Sequence, residues 1–272
     1  MQNKNHEFRT GRKSYMHENE SEISQAILEY HDNSEAEQQS AKRLAKSLEP
    51  WRNLVPPGFI LEAGAGTGLF TDYLINIFPN RKIAITDRSD EMIAFHRNRF
   101  KEHEFLTWHT QNLEDEVPEE QSCAMICGNH VVHQFKQPAI ALEKLSNALL
   151  IDGIMLMGFP GEDSFKEWRS TCLDLGIPCA GKQLPETEPI VIHLSMGPFQ
   201  VDFYEDQTTI YYQSFSQFLD HCENGGNSII KEKRNYSPKE LELLNENWIN
   251  KKDGQIGITY HNVFLAVKRI DD

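Results

Sequence analysis

The chain has 272 residues, a formal net charge of −14, 39% hydrophobic and 25% charged content, the make-up of an ordinary globule with one domain and a sizeable insertion or cap. No apolar run approaches membrane-spanning length and the polar start lacks the apolar core of a signal peptide. The acidity, with neither a basic stripe nor a base-reading motif, disfavours nucleic acid, and five cysteines without paired metal spacing point to reduced thiols in a cytoplasm.

Residues 1–25 are polar and mixed in charge and read as a flexible N-terminus. Residues 26–50 read as a lid segment, because Ser34 to Leu48 is amphipathic, with Ala41, Leu44, Ala45 and Leu48 on one face, and stops before Pro50. Tyr30 stands just ahead of that helix. A ligand-binding core is expected over residues 51–159. It opens with a short apolar strand, Ile60-Leu61-Glu62, followed by a turn containing Gly64, Gly66 and Gly68. Glycines let the backbone bend tightly and a ligand approach the main chain, and the next helix points its first amides at the turn. Leu69, Tyr73 and Ile77 recur at helical spacing behind it, as do Phe70, Leu74 and Phe78.

A second apolar run, Ile83-Ala84-Ile85-Thr86, ends in Asp87. In an open parallel sheet, an acid ending the second strand reaches ribose hydroxyls. Ser89 or Asp90 serves better as the N-cap of the following helix, which leaves Asp87 for the ligand. Further along, Gln111-Asn112-Leu113 precedes an acidic loop. The fourth strand, Cys123 to Cys127, stops at Gly128-Asn129-His130, then comes a helix from Ile140 to Leu150, a turn at Asp152-Gly153 and a fifth strand, Ile154 to Phe159. That rhythm predicts an α/β fold built on a doubly wound parallel sheet. His130 and His133 lack a cysteine or carboxylate at metal-ligand spacing, so no metal is expected and His133 reads as active-site lining. Residues 160–212 carry prolines, glycines and few helical patterns and read as a substrate-covering insertion. Residues 213–272 return to order, with a helix at Phe215 to Cys222 and a last strand at Ile256 to Val267.

The run from Glu62 to Gly68, acidic-x-Gly-x-Gly-x-Gly, resembles motif I of the class I S-adenosylmethionine-dependent methyltransferases. Over nearly its whole length the chain resembles one such family, the malonyl-acyl-carrier-protein O-methyltransferases of biotin synthesis. The resemblance rests on Tyr30 with an acid nearby, Asn129 followed by Gln134-Phe135, Ser164-Phe165-Lys166-Glu167-Trp168-Arg169 with Leu184-Pro185, and Tyr211, Phe218-Leu219, Thr259-Tyr260 and Val263-Phe264. Asn112 departs from the family's usual acid, Glu37 stands near its usual Gln, and Phe135 replaces its usual Trp.

The resemblance implies a Rossmann-like class I methyltransferase fold, with a helical N-terminal lid and an insertion after the fifth strand, so that 51–159 is the S-adenosylmethionine-binding core and 213–272 completes the sheet. It implies S-adenosyl-L-methionine as cofactor and S-adenosyl-L-homocysteine as product. The expected cofactor shell is Glu62, Gly64, Ala65, Gly66, Gly68, Asp87, Arg88, Met92, Gln111, Asn112, Leu113 and Asn129. The implied reaction is methyl transfer to the free carboxylate of a malonyl thioester, carried on acyl carrier protein or coenzyme A. A carboxylate is already ionised at pH 7, so no general base is required. Arg169, Tyr30 and His133 are the candidates, in that order, for orienting the acceptor. Two alternatives stay open: methylation of a free small-molecule carboxylic acid or phenol, and a binding protein that keeps the fold without turnover. The net charge would repel an acidic carrier protein unless a basic patch intervenes, with candidates at Lys42-Arg43-Lys46, Arg97-Arg99-Lys101 and Lys231-Lys233-Arg234.

Overall fold

A computed structural model of the chain describes residues 25–224, 229–230 and 236–270. Nearly all of the expected flexible N-terminus, and the basic run Lys231-Lys233-Arg234, lie outside the described residues. Eight strands form one sheet: β1 (Phe59–Ala63), β2 (Ile83–Asp87), β3 (Leu106–Thr110), β4 (Cys123–Asn129), β5 (Leu149–Pro160), β6 (Phe199–Tyr212), β7 (Lys251–Lys252) and β8 (Gln255–Arg269). Their order is β3-β2-β1-β4-β5-β8-β6, with β7 on β8. The first five pair in parallel, and β8 runs antiparallel between β5 and β6. This is the doubly wound, mostly parallel sheet that the apolar runs predict.

Side-chain alternation divides the core into two layers. Ile60, Ile83, Ile85, Met125 and Leu156 face one side, where they meet helices α2 (Glu35–Leu48), α3 (Thr71–Ile77) and α4 (Asp90–Arg99). Leu61, Ala63, Ile126, Met155 and Met157 face the other, against α5 (Pro138–Asn147) and α7 (Thr187–Ser195). Among the described residues no helix is long and apolar enough to cross a membrane.

β8 is long enough to outrun the parallel strands. Its C-terminal half, from Asn262 onward, pairs with β5, whereas Gly257 to His261 pair with β6 alone and Ile256 with β6 and β7. That overhang lies beyond the carboxyl end of β5 and carries a third core of Phe165, Trp168, Phe215, Phe218, Trp248 and Tyr260. Helices α6 (Lys166–Leu175), α8 (Phe215–Asn224) and α9 (Pro238–Glu246) close around it. The fold therefore stands a separate aromatic cap beside the strand ends where ligands of open α/β sheets bind.

Within the expected lid segment 26–50, the helix 35–48 lays its apolar stripe on the sheet, where Leu44 and Leu48 are fully buried. The preceding helix, α1 (residues 25–33), reaches the glycine turn, where His31 Nδ1 lies 2.9 Å from Thr67 Oγ1. Two expectations change. Residues 199–212, counted with the insertion, form an edge strand of the sheet, and α6 and α7 occupy much of the remainder. The helix expected to reach Leu150 ends at Asn147, since Leu149 already pairs with Cys123.

Glu167 fastens the cap to the sheet. It is buried on α6 and its carboxylate accepts from the Thr259 amide at 3.1 Å and the Thr259 hydroxyl at 2.5 Å. Glu167→Ala leaves that amide without its acceptor, so it should cost about 1–3 kcal/mol of stability, read as a lower Tm. An unchanged Tm would show that the apolar face of α6 suffices to hold it.

Candidate active site

The strand ends build the site around a polar latch. Asp87 Oδ2 accepts from the Gly66 amide at 2.9 Å, and Oδ1 accepts from the Ser89 amide at 2.9 Å. Ser89, not Asp87, caps α4, accepting from the Met92 amide at 3.2 Å. The carboxylate thus ties the glycine turn to the end of β2. Burial pushes the Asp87 carboxyl up, and the amides of Ser89 and Gly66 act against that shift. Gly66 has φ of +53° and a Cβ there would meet nothing within 4 Å, so its free space opens on the cavity. Gly68 differs: at φ +85° a Cβ would come 2.5 Å from the Phe100 ring. Gly68 thus packs against the C-terminal end of α4, and it is not among the residues that line the cavity.

A cavity of about 340 Å³ runs along these strand ends. It is lined by Glu62, Gly64, Ala65, Gly66, Asp87, Arg88, Met92, Gln111, Asn112, Leu113 and Asn129, all members of the expected cofactor shell, and by Tyr30. Asn112 and Asn129 are among those that are internally engaged. Asn112 Nδ2 donates to Asp115 Oδ2 at 2.6 Å, and its Oδ1 accepts from the Glu114 amide at 3.3 Å. Asn129 Oδ1 accepts from the Ser40 hydroxyl at 2.7 Å and its Nδ2 donates to the Glu37 carbonyl at 3.1 Å, bracing α2 against the end of β4.

Glu62 is the most deeply buried acid at the glycine-turn end of the cavity, at 1% exposure. A fixed chain of donors reaches it. Trp108 Nε1 donates to His96 Nδ1 at 2.9 Å, so the His96 proton sits on Nε2 and is donated to Thr71 Oγ1 at 2.8 Å. The Thr71 hydroxyl then gives its proton to Glu62 Oε2 at 2.7 Å. Burial, then the Arg99 charge, hold His96 down to about 3 and keep it neutral. Burial lifts Glu62 to about 8; the Thr71 hydrogen bond opposes the shift, and the charges of Asp72 and Asp87 add to it.

The opposite end of the cavity is formed by Tyr30, Glu37, His130, Gln134, Phe135 and Glu223. Glu37 was noticed in the sequence only as a departure from the family. Its signal was nevertheless present: it belongs to the apolar stripe that continues through Ala41, Leu44 and Leu48, where a carboxylate is out of place. Burial raises its pKa, but His221 Nε2 at 3.3 Å and the His130 ring outweigh that and hold it down to about 2. Tyr30 stacks on His221 with ring centres 5.6 Å apart.

Arg169 and His133 do not reach this cavity. Trp168 and Cys172 turn toward the third core, so the next position on α6 points elsewhere, and Arg169 Nη2 donates to the Glu162 carbonyl at 2.9 Å. His133 lines a second cavity with Leu184, Pro185 and Ile190, separated from the first by Phe135.

A family model described as a methyltransferase domain matches residues 61–155. A malonyl-[acyl-carrier protein] O-methyltransferase of Magnetococcus marinus is 24% identical over 254 residues, 90% of each chain. Among solved structures, a Bacillus halodurans protein described as a methyltransferase aligns with TM-score 0.60 at 13% identity, over 84% of this chain and 99% of that one. A geranyl diphosphate C-methyltransferase of Streptomyces coelicolor, solved with Mg²⁺, geranyl diphosphate and S-adenosyl-L-homocysteine, aligns with TM-score 0.51 at 12% identity, over 84% and 77%. The chain has the class I methyltransferase fold and resembles the malonyl-acyl-carrier-protein O-methyltransferases along its length.

The two turn glycines should behave differently when substituted. Gly66→Ala meets only left-handed backbone strain, about 1–2 kcal/mol, whereas Gly68→Ala adds overpacking of about 1–3 kcal/mol. Thermal denaturation of the ligand-free protein should place Gly68→Ala clearly below Gly66→Ala. Equal Tm values would mean that α4 yields without cost.

Proposed function

We propose that this protein transfers a methyl group from S-adenosyl-L-methionine to the free carboxylate of a malonyl thioester, in the cytoplasm and in the early part of biotin synthesis. Methyl transfer follows from the methyltransferase domain and fold. The observation that carries the cofactor is the acidity of the cavity. Glu37, Glu62, Asp87, Glu114 and Glu223 line it against a single Arg or Lys among the lining residues, Arg88, which suits a cationic sulfonium with an ammonium group. The malonyl thioester is favoured by the relatives named for that substrate.

On this reading the Gly66 face of the turn and Asp87 hold the ribose, Gln111 to Leu113 border the adenine, and Glu62 takes the methionine ammonium. Once bound, the cofactor supplies a methyl group already activated on sulfur. The chain contributes position and dryness: α1 covers the glycine turn, and the aromatic cap shields the acceptor end from water. We read the units accordingly as a covering N-terminal segment, a cofactor core through residue 159, and a cap with the C-terminal strands around the acceptor. A second reading, a small molecule whose hydroxyl must lose a proton, is favoured by Glu37 lying beside His130 and His221, an arrangement able to support a base.

Mass spectrometry of reactions with malonyl-coenzyme A, malonyl-acyl carrier protein, free dicarboxylic acids and phenols tests the choice. A methyl ester of a malonyl thioester is the expected product, and its absence would overturn the carboxylate reading.

Two further outcomes follow. Glu62 is protonated at pH 7 in the ligand-free protein, and a bound cation favours its ionised form, so binding should release a proton. Affinity should therefore rise with pH between 6 and 7.5, by at most about tenfold per unit, and level off above about 8. Calorimetry in buffers of different ionisation enthalpy reads the proton directly, and Glu62→Gln should abolish both effects. Arg169→Ala should leave methyl transfer within about twofold of the parent, because the guanidinium is engaged with the Glu162 carbonyl and stands outside the cavity. A loss of tenfold or more would restore it as an acceptor-binding residue.

A further inference from the structure

A carboxylate acceptor needs a cation, and the acceptor end of the cavity has neither Arg nor Lys among its lining residues. His130 stands there instead. Its side chain is 6% exposed, it lines the cavity, and neither ring nitrogen has a hydrogen-bond partner among the described residues. Its backbone is held at φ +58°, a left-handed conformation uncommon for a residue with a side chain, by an amide that donates to the Gly158 carbonyl at 2.7 Å. Strain of this kind gathers at functional positions. A buried imidazole whose nitrogens make no hydrogen bond is costly unless something completes it.

The surroundings decide what completes it. From α2, Glu37 Oε1 lies 3.9 Å from His130 Nδ1, and from α8 His221 Nε2 lies 3.3 Å from the same Glu37 oxygen. His133, in the turn Val132–Gln134, meets the His130 ring edge-on at 6.0 Å. Glu223 on α8 lines the same cavity, and Tyr30 on α1 stacks on His221. Asn129 holds the Glu37 backbone in place. Two imidazoles therefore share one buried carboxylate, and one imidazole retains donor capacity.

Resting on the carboxylate reading above, we propose that His130 is the substrate-binding residue for the acceptor, receiving its carboxylate as an imidazolium held between that carboxylate and Glu37. The proton comes from solvent as the acceptor binds and returns there when the uncharged methyl ester leaves. His130 stays protonated through the transfer and exchanges no proton with the substrate, whose carboxylate oxygen forms the bond to the methyl carbon as the sulfur–carbon bond breaks. In the ligand-free protein burial lowers the His130 pKa, Glu37 raises it, and His221 lowers it. A second anion in contact raises it further.

The test uses the full-length protein, malonyl-coenzyme A and two variants. His130→Asn tolerates the left-handed backbone but carries no charge. Glu37→Gln removes the anion behind the imidazolium. His130→Asn should lose about 10–100-fold in kcat/KM for malonyl-coenzyme A, the scale of losing a hydrogen bond to a charged group, chiefly through KM. Its affinity for S-adenosylmethionine should stay within about twofold, which also reports an intact fold. For the parent, kcat/KM should fall with rising pH, by up to about tenfold per unit, because the protonated ring is the competent form. His130→Asn should flatten that profile and Glu37→Gln should move it to lower pH. A parent that forms no malonyl methyl ester overturns both the carboxylate reading and this role. A parent that forms it with a pH-independent kcat/KM, or a His130→Asn variant as fast as the parent, overturns the role of His130 alone.

Discussion

The site depends on one short-range constraint, the Asp87 carboxylate gripping the amide of Gly66 at 2.9 Å. That bond joins the turn after β1 to the end of β2, so the two strands that frame the cavity cannot separate without breaking it. Ser89 makes the arrangement possible by capping α4 itself. Gly68 completes the turn from behind, where the Phe100 ring leaves no room for a side chain. A cavity for a charged ligand needs walls that do not relax around it, and these contacts supply that stiffness.

Two buried glutamates at opposite ends of the cavity show how partners decide charge. Glu62 and Glu37 are both almost wholly removed from water, and burial alone would neutralise each. Glu62 receives a hydroxyl hydrogen bond and faces other acids, so it is lifted to about 8. Glu37 faces two imidazoles and is held down to about 2. The cavity is thus acidic in composition without being uniformly anionic. Neutral Glu62 is a reserve of negative charge that a cation can call up, while ionised Glu37 works against the lowering that burial imposes on His130.

The aromatic cap extends this logic to the acceptor side. It rests on the overhang of β8 and β6 beyond the parallel strands, and Glu167 pins α6 to Thr259. Because α8 belongs to the cap, it is the cap that brings His221 to Glu37 and Glu223 to the cavity wall. The acceptor end is therefore assembled from α1, α2, the end of β4 and α8, whereas the cofactor end is built by β1, β2 and the segment after β3.

The amino-acid sequence by itself determined the doubly wound core and most of the cavity lining around the glycine turn, because those features are local. A glycine turn between an apolar strand and a helix, an acid ending the next strand, and Gln111-Asn112-Leu113 beyond the third strand each fall where short-range geometry puts them. The sheet edge was less legible. Residues 199–212 face solvent along much of their length and give little apolar alternation to read. That Arg169 stands outside the cavity was not legible, because its neighbours Trp168 and Cys172, not its own charge, fix which way α6 turns. Tertiary structure alone decided the acceptor end. Glu37, His130 and His221 come from remote parts of the chain, and each looks unremarkable in its own segment. Only the packing of α2 and α8 against the end of β4 removes them from water together, and desolvation makes their mutual charge matter.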